Sequence, residues 1–182
     1  MIRTIGMIEL NSIAKGIEVA DEMIKSAEVN LLLAKTICPG KYVVLVTGNV
    51  GAVEAAINHG IAAGQQYVVN KVLLPNVHPQ VIPAINASTN VEKLRDLGVL
   101  EFFSIASAIV AADAAVKSAN VDLIEVRLGI GIGGKAFITL TGDISSVNNA
   151  VTVGANTAIE SGMLVNKAVI AAPSKELIQS LL

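Results

Sequence analysis

The chain is short of aromatic and charged residues. Aromatics make up 3% of its 182 residues and charged side chains 15%, whereas hydrophobic residues reach 53%. So little charge cannot cover two independent domains, and large buried interfaces and an obligate oligomer are expected. The net charge is −2 and no lysine–arginine cluster occurs, so no basic field for nucleic acid exists. A single cysteine excludes an internal disulfide and makes a reducing cytoplasmic home the default. Long apolar runs are missing as well. Those around Leu31–Ala34 and Ile105–Ala115 are short or interrupted by Ser107 and Asp113, and a membrane-spanning helix needs about 20 apolar residues. One arginine followed by Gly6 and Glu9 gives no cleavable signal pattern. No Ser–His–Asp order or paired-carboxylate constellation is visible, so no enzymatic role is expected.

What the chain does have is an internal duplication. Ile5-Gly6-Met7-Ile8-Glu9, Ser12-Ile13-Ala14, Ala20-Asp21 and Lys25-Ser26-Ala27 return as Leu97-Gly98-Val99-Leu100-Glu101, Ser104-Ile105-Ala106, Ala112-Asp113 and Lys117-Ser118-Ala119. Gly40-Lys41 matches Gly134-Lys135, Thr47-Gly48 matches Thr141-Gly142, and Val69-Asn70-Lys71 matches Val165-Asn166-Lys167. Such self-similarity sets the fold before any local motif is read. It divides the chain into a first domain at 1–77, a linker at 78–95 and a second domain at 96–182. The linker runs from His78-Pro79 to Arg95 and holds much of the local polarity.

Copy one reads as a strand at Ile5–Leu10 and a helix at Ile13–Ala27 capped by Ser12. Ile13, Ile17, Ala20, Ile24 and Ala27 stand at helical spacing along it. Val29–Ile37 is a continuous apolar run suited to a buried strand, with Cys38-Pro39-Gly40 as the loop after it. A strand at Tyr42–Thr47, a helix at Gly51–Ala63 capped by Asn49, and a strand at Val68–Leu74 complete the copy. Copy two repeats the order at Val99–Phe103, Ser104–Ala119, Val121–Leu128, Ala136–Thr141, Ser145–Ser161 and Leu164–Ile170. The fold class is α/β (α+β): two tandem ferredoxin-like β-α-β-β-α-β modules.

Gly129-Ile130-Gly131-Ile132-Gly133-Gly134 contains the G-x-G-x-x-G string. A dinucleotide site needs that string between a strand and a helix, but another strand follows here. Ala136 stands where a P-loop needs a hydroxyl. Close backbone approach to another segment, such as a symmetry mate, is the role these glycines suggest. His59 and His78 face Val153 and Ser174 in the other copy and read as surface or packing residues. Glu9/Glu101 and Asp21/Asp113 recur, which favours structural roles. Lys25 and Lys117 sit at matching helix ends, where the dipole favours a cation; a lattice edge contact is the alternative.

Cys38 breaks the symmetry, because Ile132 occupies the matching position. A lone cysteine after an apolar strand reads first as a small buried hydrophobe. Cysteine followed by proline also occurs at iron–sulfur ligands, and a threefold axis would gather three such thiolates.

The segments 6–10, 12–16, 20–27, 35–41 and 141–151 together resemble the tandem-domain, trimeric shell proteins of bacterial microcompartments. Among these they are most similar to the iron–sulfur-bearing shell proteins of propanediol-utilisation compartments. The strand order matches the unpermuted subtype. The resemblance implies a homotrimeric, pseudohexameric tile that packs against other shell proteins into a polyhedral shell, with Lys25 and Lys117 at tile edges. It implies that Thr36, Ile37, Cys38, Pro39, Gly40 and Lys41 line the central pore with Gly131, Ile132, Gly133 and Gly134. Three copies of Cys38 would then hold one 4Fe–4S cluster per trimer, prone to loss or to a 3Fe–4S form. Such a tile would carry electrons, or deliver a redox centre, between cytosol and lumen, served by a lumenal or cytosolic redox protein. A metabolite pore without a cluster, or a regulatory module binding a small ligand, is the alternative.

Overall fold

The computed structural model describes residues 4–91 and 93–181, the side chain of Leu181 excepted. Its elements are β1 (Thr4–Leu10), α1 (Ile13–Ser26), β2 (Val29–Ile37), β3 (Lys41–Gly48), α2 (Val50–Gly64), β4 (Val68–Pro75), α3 (Val81–Ile85), β5 (Asp96–Phe102), α4 (Ile105–Ser118), β6 (Val121–Leu128), β7 (Ala136–Gly142), α5 (Ile144–Ile159), β8 (Leu164–Ile170) and α6 (Lys175–Leu181). Two four-stranded sheets result, ordered β2-β3-β1-β4 and β6-β7-β5-β8. Every strand pairing is antiparallel. The chain thus consists of two β-α-β-β-α-β modules, and the duplication extends to irregularities of the ladders. Register shifts fall between Leu31 and Leu33 and between Leu123 and Glu125, and again at Glu9/Leu10 and Glu101/Phe102.

Local chemistry starts the helices where the sequence indicates. Ser12 accepts from the Lys15 amide at 3.3 Å and Ser104 from the Ser107 amide at 3.3 Å. Asn49 accepts from the Ala52 amide at 2.8 Å. Each satisfies one of the amides a helix start leaves unpaired, a contribution of about 1 kcal/mol. β1 lies inside its sheet, between β3 and β4, and all seven of its residues are buried. Ile8, Leu10, Val44 and Val46 from the sheet pack against Val19 and Met23 of α1 and Val53 and Ile57 of α2. Full burial of one such side chain is worth about 1.5–3 kcal/mol. Gly6 and Gly98 recur because helices lie directly over the strands: a Cβ on Gly6 would stand 2.6 Å from Val53, and one on Gly98 would stand 2.7 Å from Val151.

Two expectations need correction. The face that α1 buries is Gly16, Val19, Ala20 and Met23; of the stripe read from the sequence, Ile13, Ile17 and Ile24 are exposed. Helical spacing identifies a stripe but does not say which side the sheet lies on. The run Val29–Ile37 is not a buried strand either. It is an edge strand, and Ile37 alone among its residues is buried.

The chain forms two compact units. One comprises the residues up to Val77 with Gly129–Gly134; the other comprises His78–Leu128 and the residues from Lys135 on. Residues 78–91 therefore belong with the second module. Their helix α3 packs on β6 and α4 and buries Val81, Ile82 and Ala84. Neither α3 nor α6 follows from the sequence pattern.

Candidate functional site

β2 and β3 run antiparallel up to the pair Ile37 and Lys41, so the chain must reverse within Cys38, Pro39 and Gly40. Gly40 makes the reversal with φ at +77°, and the Cys38–Pro39 peptide is cis. Ile37 is buried beneath the turn, whereas Thr36, Pro39 and Gly40 are exposed. Cys38 lies between these extremes, half-buried, with a free thiol.

The glycine loop meets this turn within the first unit. The Cys38 amide donates to the Gly129 carbonyl at 2.9 Å. At the other end of the loop, a Cβ on Gly134 would lie 2.7 Å from the Cys38 carbonyl oxygen and 3.1 Å from Pro39 Cδ. With φ at +81°, Gly134 also has a backbone that side chains disfavour. The close approach expected of the glycines is real at Gly134, and its partner is the same chain's cysteine turn. A Cβ on Gly131 or Gly133 would meet nothing within 4 Å, and Ile132 is half-buried. Gly129 is the residue that sequence reasoning missed, since its part is played by a main-chain carbonyl.

The strands that leave the two loops are held by matching ion pairs. Lys41 Nζ lies 2.8 Å from Glu9 Oε1, and Lys135 Nζ lies 2.8 Å from Glu101 Oε1. The recurrence of both glutamates thus has a structural cause, and Lys41 is partly turned toward its own sheet. Lys25 and Lys117 are elsewhere, in the last turns of α1 and α4. Each pairs with the aspartate four residues earlier, Asp21 and Asp113. The hydrogen bond and charge of Asp21 raise the Lys25 pKa above its ordinary 10.5. His59 pairs with Glu22 at 3.2 Å in an exposed position, and His78 lies in the turn before α3.

As a metal site, one chain is incomplete. Cys38 is its one thiol, and among the described residues no three His, Cys, Asp or Glu side chains gather. An iron–sulfur cluster needs several thiolates. The residues fit such a group only where several chains present this turn to a common axis, which a half-exposed, unpaired thiol at a turn permits. Among the described residues no helix is long and apolar enough to cross a membrane.

Known proteins share this architecture. The BMC domain family matches residues 4–77 and 96–173, one match per sheet. Bacterial microcompartment shell protein PduT of Citrobacter freundii is 48% identical over 177 residues, covering 97% of this chain and 96% of that relative. Shell protein PduA of the same organism is 38% identical over 95 residues, covering 52% of this chain and 94% of PduA. A crystal structure of a microcompartment protein from Desulfitobacterium hafniense DCB has a TM-score of 0.93 at 51% identity, covering 98% of this chain and 99% of that one. With two matched modules and a relative aligned over nearly its whole length, the chain belongs to the BMC domain family, as a tandem-domain shell protein of bacterial microcompartments.

Proposed function

We propose that three copies of this chain close about a threefold axis into a pseudohexagonal tile, and that the three Cys38 thiolates hold one 4Fe–4S cluster at its centre. The carrying observation is the free, half-exposed Cys38 at a turn where the duplicate has Ile132. Two modules per chain let three chains supply six modules, while the cysteine appears three times. Thr36, Pro39 and Gly40 line the opening with Gly131, Ile132 and Gly133. Ile37 supports the turn from behind, Lys41 closes it, and Gly134 lets the glycine loop pack closely against it. Lys25 and Lys117 face neighbouring shell proteins at the tile edges.

The bound cluster would supply one-electron chemistry across a thin protein layer, at a potential set by hydrogen bonding and solvent exposure. The chain's role is non-catalytic: it forms shell and positions a redox centre for a partner on one face. Three cysteines leave one iron of four without a thiolate, so conversion to a 3Fe–4S form follows on exposure to oxygen.

Anaerobic reconstitution with iron and sulfide tests the reading. The trimer is expected to turn brown, with one cluster per three chains, and Cys38→Ser to stay colourless yet trimeric. A colourless wild-type trimer after full loading would leave a metabolite pore shaped by Cys38 and would end the redox assignment.

A further inference from the structure

The two copies of the repeat differ in what covers the outer face of their first helix and edge strand. In copy two, Ile105 is 1% exposed, Ile109 0%, Val116 6% and Leu123 1%. The matching residues of copy one are as apolar but open: Ile13 is 40% exposed, Ile17 56%, Ile24 39% and Leu31 44%. Residues 78–91, the segment that follows β4, contribute to the cover in copy two. The amide of His78 donates to Asp113 Oδ1 at 2.7 Å. Gln80 accepts from the Leu123 amide at 2.8 Å and donates to Asp122 Oδ1 at 3.1 Å. Helix α3 then packs on β6 and α4.

The segment that follows β8 repeats this design. Asn76 and Ala172 hold matching positions after their strands, and both have positive φ, 54° and 46°. Position 78 and position 174 each receive the amide three residues on, as Val81 to the His78 carbonyl and Leu177 to the Ser174 hydroxyl. A short helix comes next in both, α3 and α6, yet Leu177 of α6 is exposed. The polar pair is complementary too. Where Gln80 donates to Asp122, the matching residues are Glu176 and Asn30, so donor and acceptor have exchanged sides.

We infer that the segment 171–181 is an arm that docks on the α1–β2 face of a second copy of this chain, as residues 78–91 dock on α4 and β6. Leu177 and Ile178 cover Ile13, Ile17 and Leu31; Glu176 accepts from the Leu31 amide and the Asn30 side chain; the Ser174 amide donates to Asp21. Each chain gives one arm and receives one, so the contact is head-to-tail and closes as a ring. The inference rests on the trimeric reading of the tile and is independent of the cluster.

Glu176→Cys together with Leu31→Cys, in a Cys38→Ser background, tests it. After oxidation, a denaturing gel without reductant is expected to show covalent dimers and trimers and no larger species. A monomer band alone, from a protein that sediments as a trimer, overturns the arm and leaves the tile intact. A wild-type chain that sediments as a monomer overturns both. Leu177→Asp with Ile178→Asp changes exposed or half-exposed side chains, so the module should still fold, and trimer dissociation should rise at least tenfold; unchanged association counts against the arm.

Discussion

The amide of Cys38 donates to the carbonyl of Gly129 at 2.9 Å, so the turn that bears the one thiol is held by main chain from the other copy of the repeat. Gly134 packs against the carbonyl of the same cysteine. Both ends of the glycine loop therefore set the position of the turn, and the loop's own sequence can be tested residue by residue.

Gly134→Ala and Gly131→Ala separate two costs. Both glycines have positive φ, which costs an alanine about 1–2 kcal/mol. At Gly134 the new methyl also meets the Cys38 carbonyl at 2.7 Å, whereas at Gly131 it meets nothing within 4 Å. Urea unfolding should show the larger loss for Gly134→Ala, together with a lower yield of reconstituted cluster. Equal losses would mean that the contact with Cys38 carries no energy.

The two glutamate–lysine pairs should differ in worth. Glu9 is 5% exposed and Lys41 28%, against 35% and 42% for Glu101 and Lys135. Lys41→Met strands a buried carboxylate and is expected to cost about 1–3 kcal/mol, reduced from the full buried-pair penalty by solvent at the lysine. Lys135→Met breaks a more exposed pair and should cost under about 1 kcal/mol. Thermal or urea midpoints of the two variants give the comparison.

Lys25 gives a pH-dependent signature. Its pKa is raised above 10.5 by the hydrogen bond and charge of Asp21. A raised folded-state value means that the pair stabilises fully below pH 10.5 and loses its effect as pH climbs through the folded value. Titration of the lysine ammonium by NMR should place Lys25 above the exposed lysines, and Asp21→Asn should bring it back. A wild-type value at the ordinary position would remove the pair as a feature of the helix end.

Much of the fold was legible because the duplication supplied each element twice. Val29–Ile37, Val121–Leu128 and Leu164–Ile170 begin and end where the apolar pattern predicts, and Ser12 and Asn49 cap the helices they precede. Burial was less legible. Ile13 and Ile105 carry the same side chain at the same repeat position, and one is exposed while the other is covered. Exposure depends on what packs against each residue in space, which no local period records. The same limit hid α3, whose Pro83 and polar surroundings read as linker. It also hid the acceptor of the Cys38 amide, since a carbonyl leaves no mark on residue type. Cys38 itself stood out for the opposite reason, as the chain's single thiol at a position where the other copy has Ile132.

The grouping of Gly129–Gly134 with the first unit has a consequence for biosynthesis. A ribosome adds about 5–20 residues per second, and modules fold as they emerge. The strands β1 to β4 can pair while the second copy is still being made. The Cys38 turn cannot be finished then, because its hydrogen-bond acceptor at Gly129 and its neighbour Gly134 have yet to be translated. The nascent chain thus acquires its first sheet before its thiol-bearing corner, which matures only once the second copy has been made as far as Gly134.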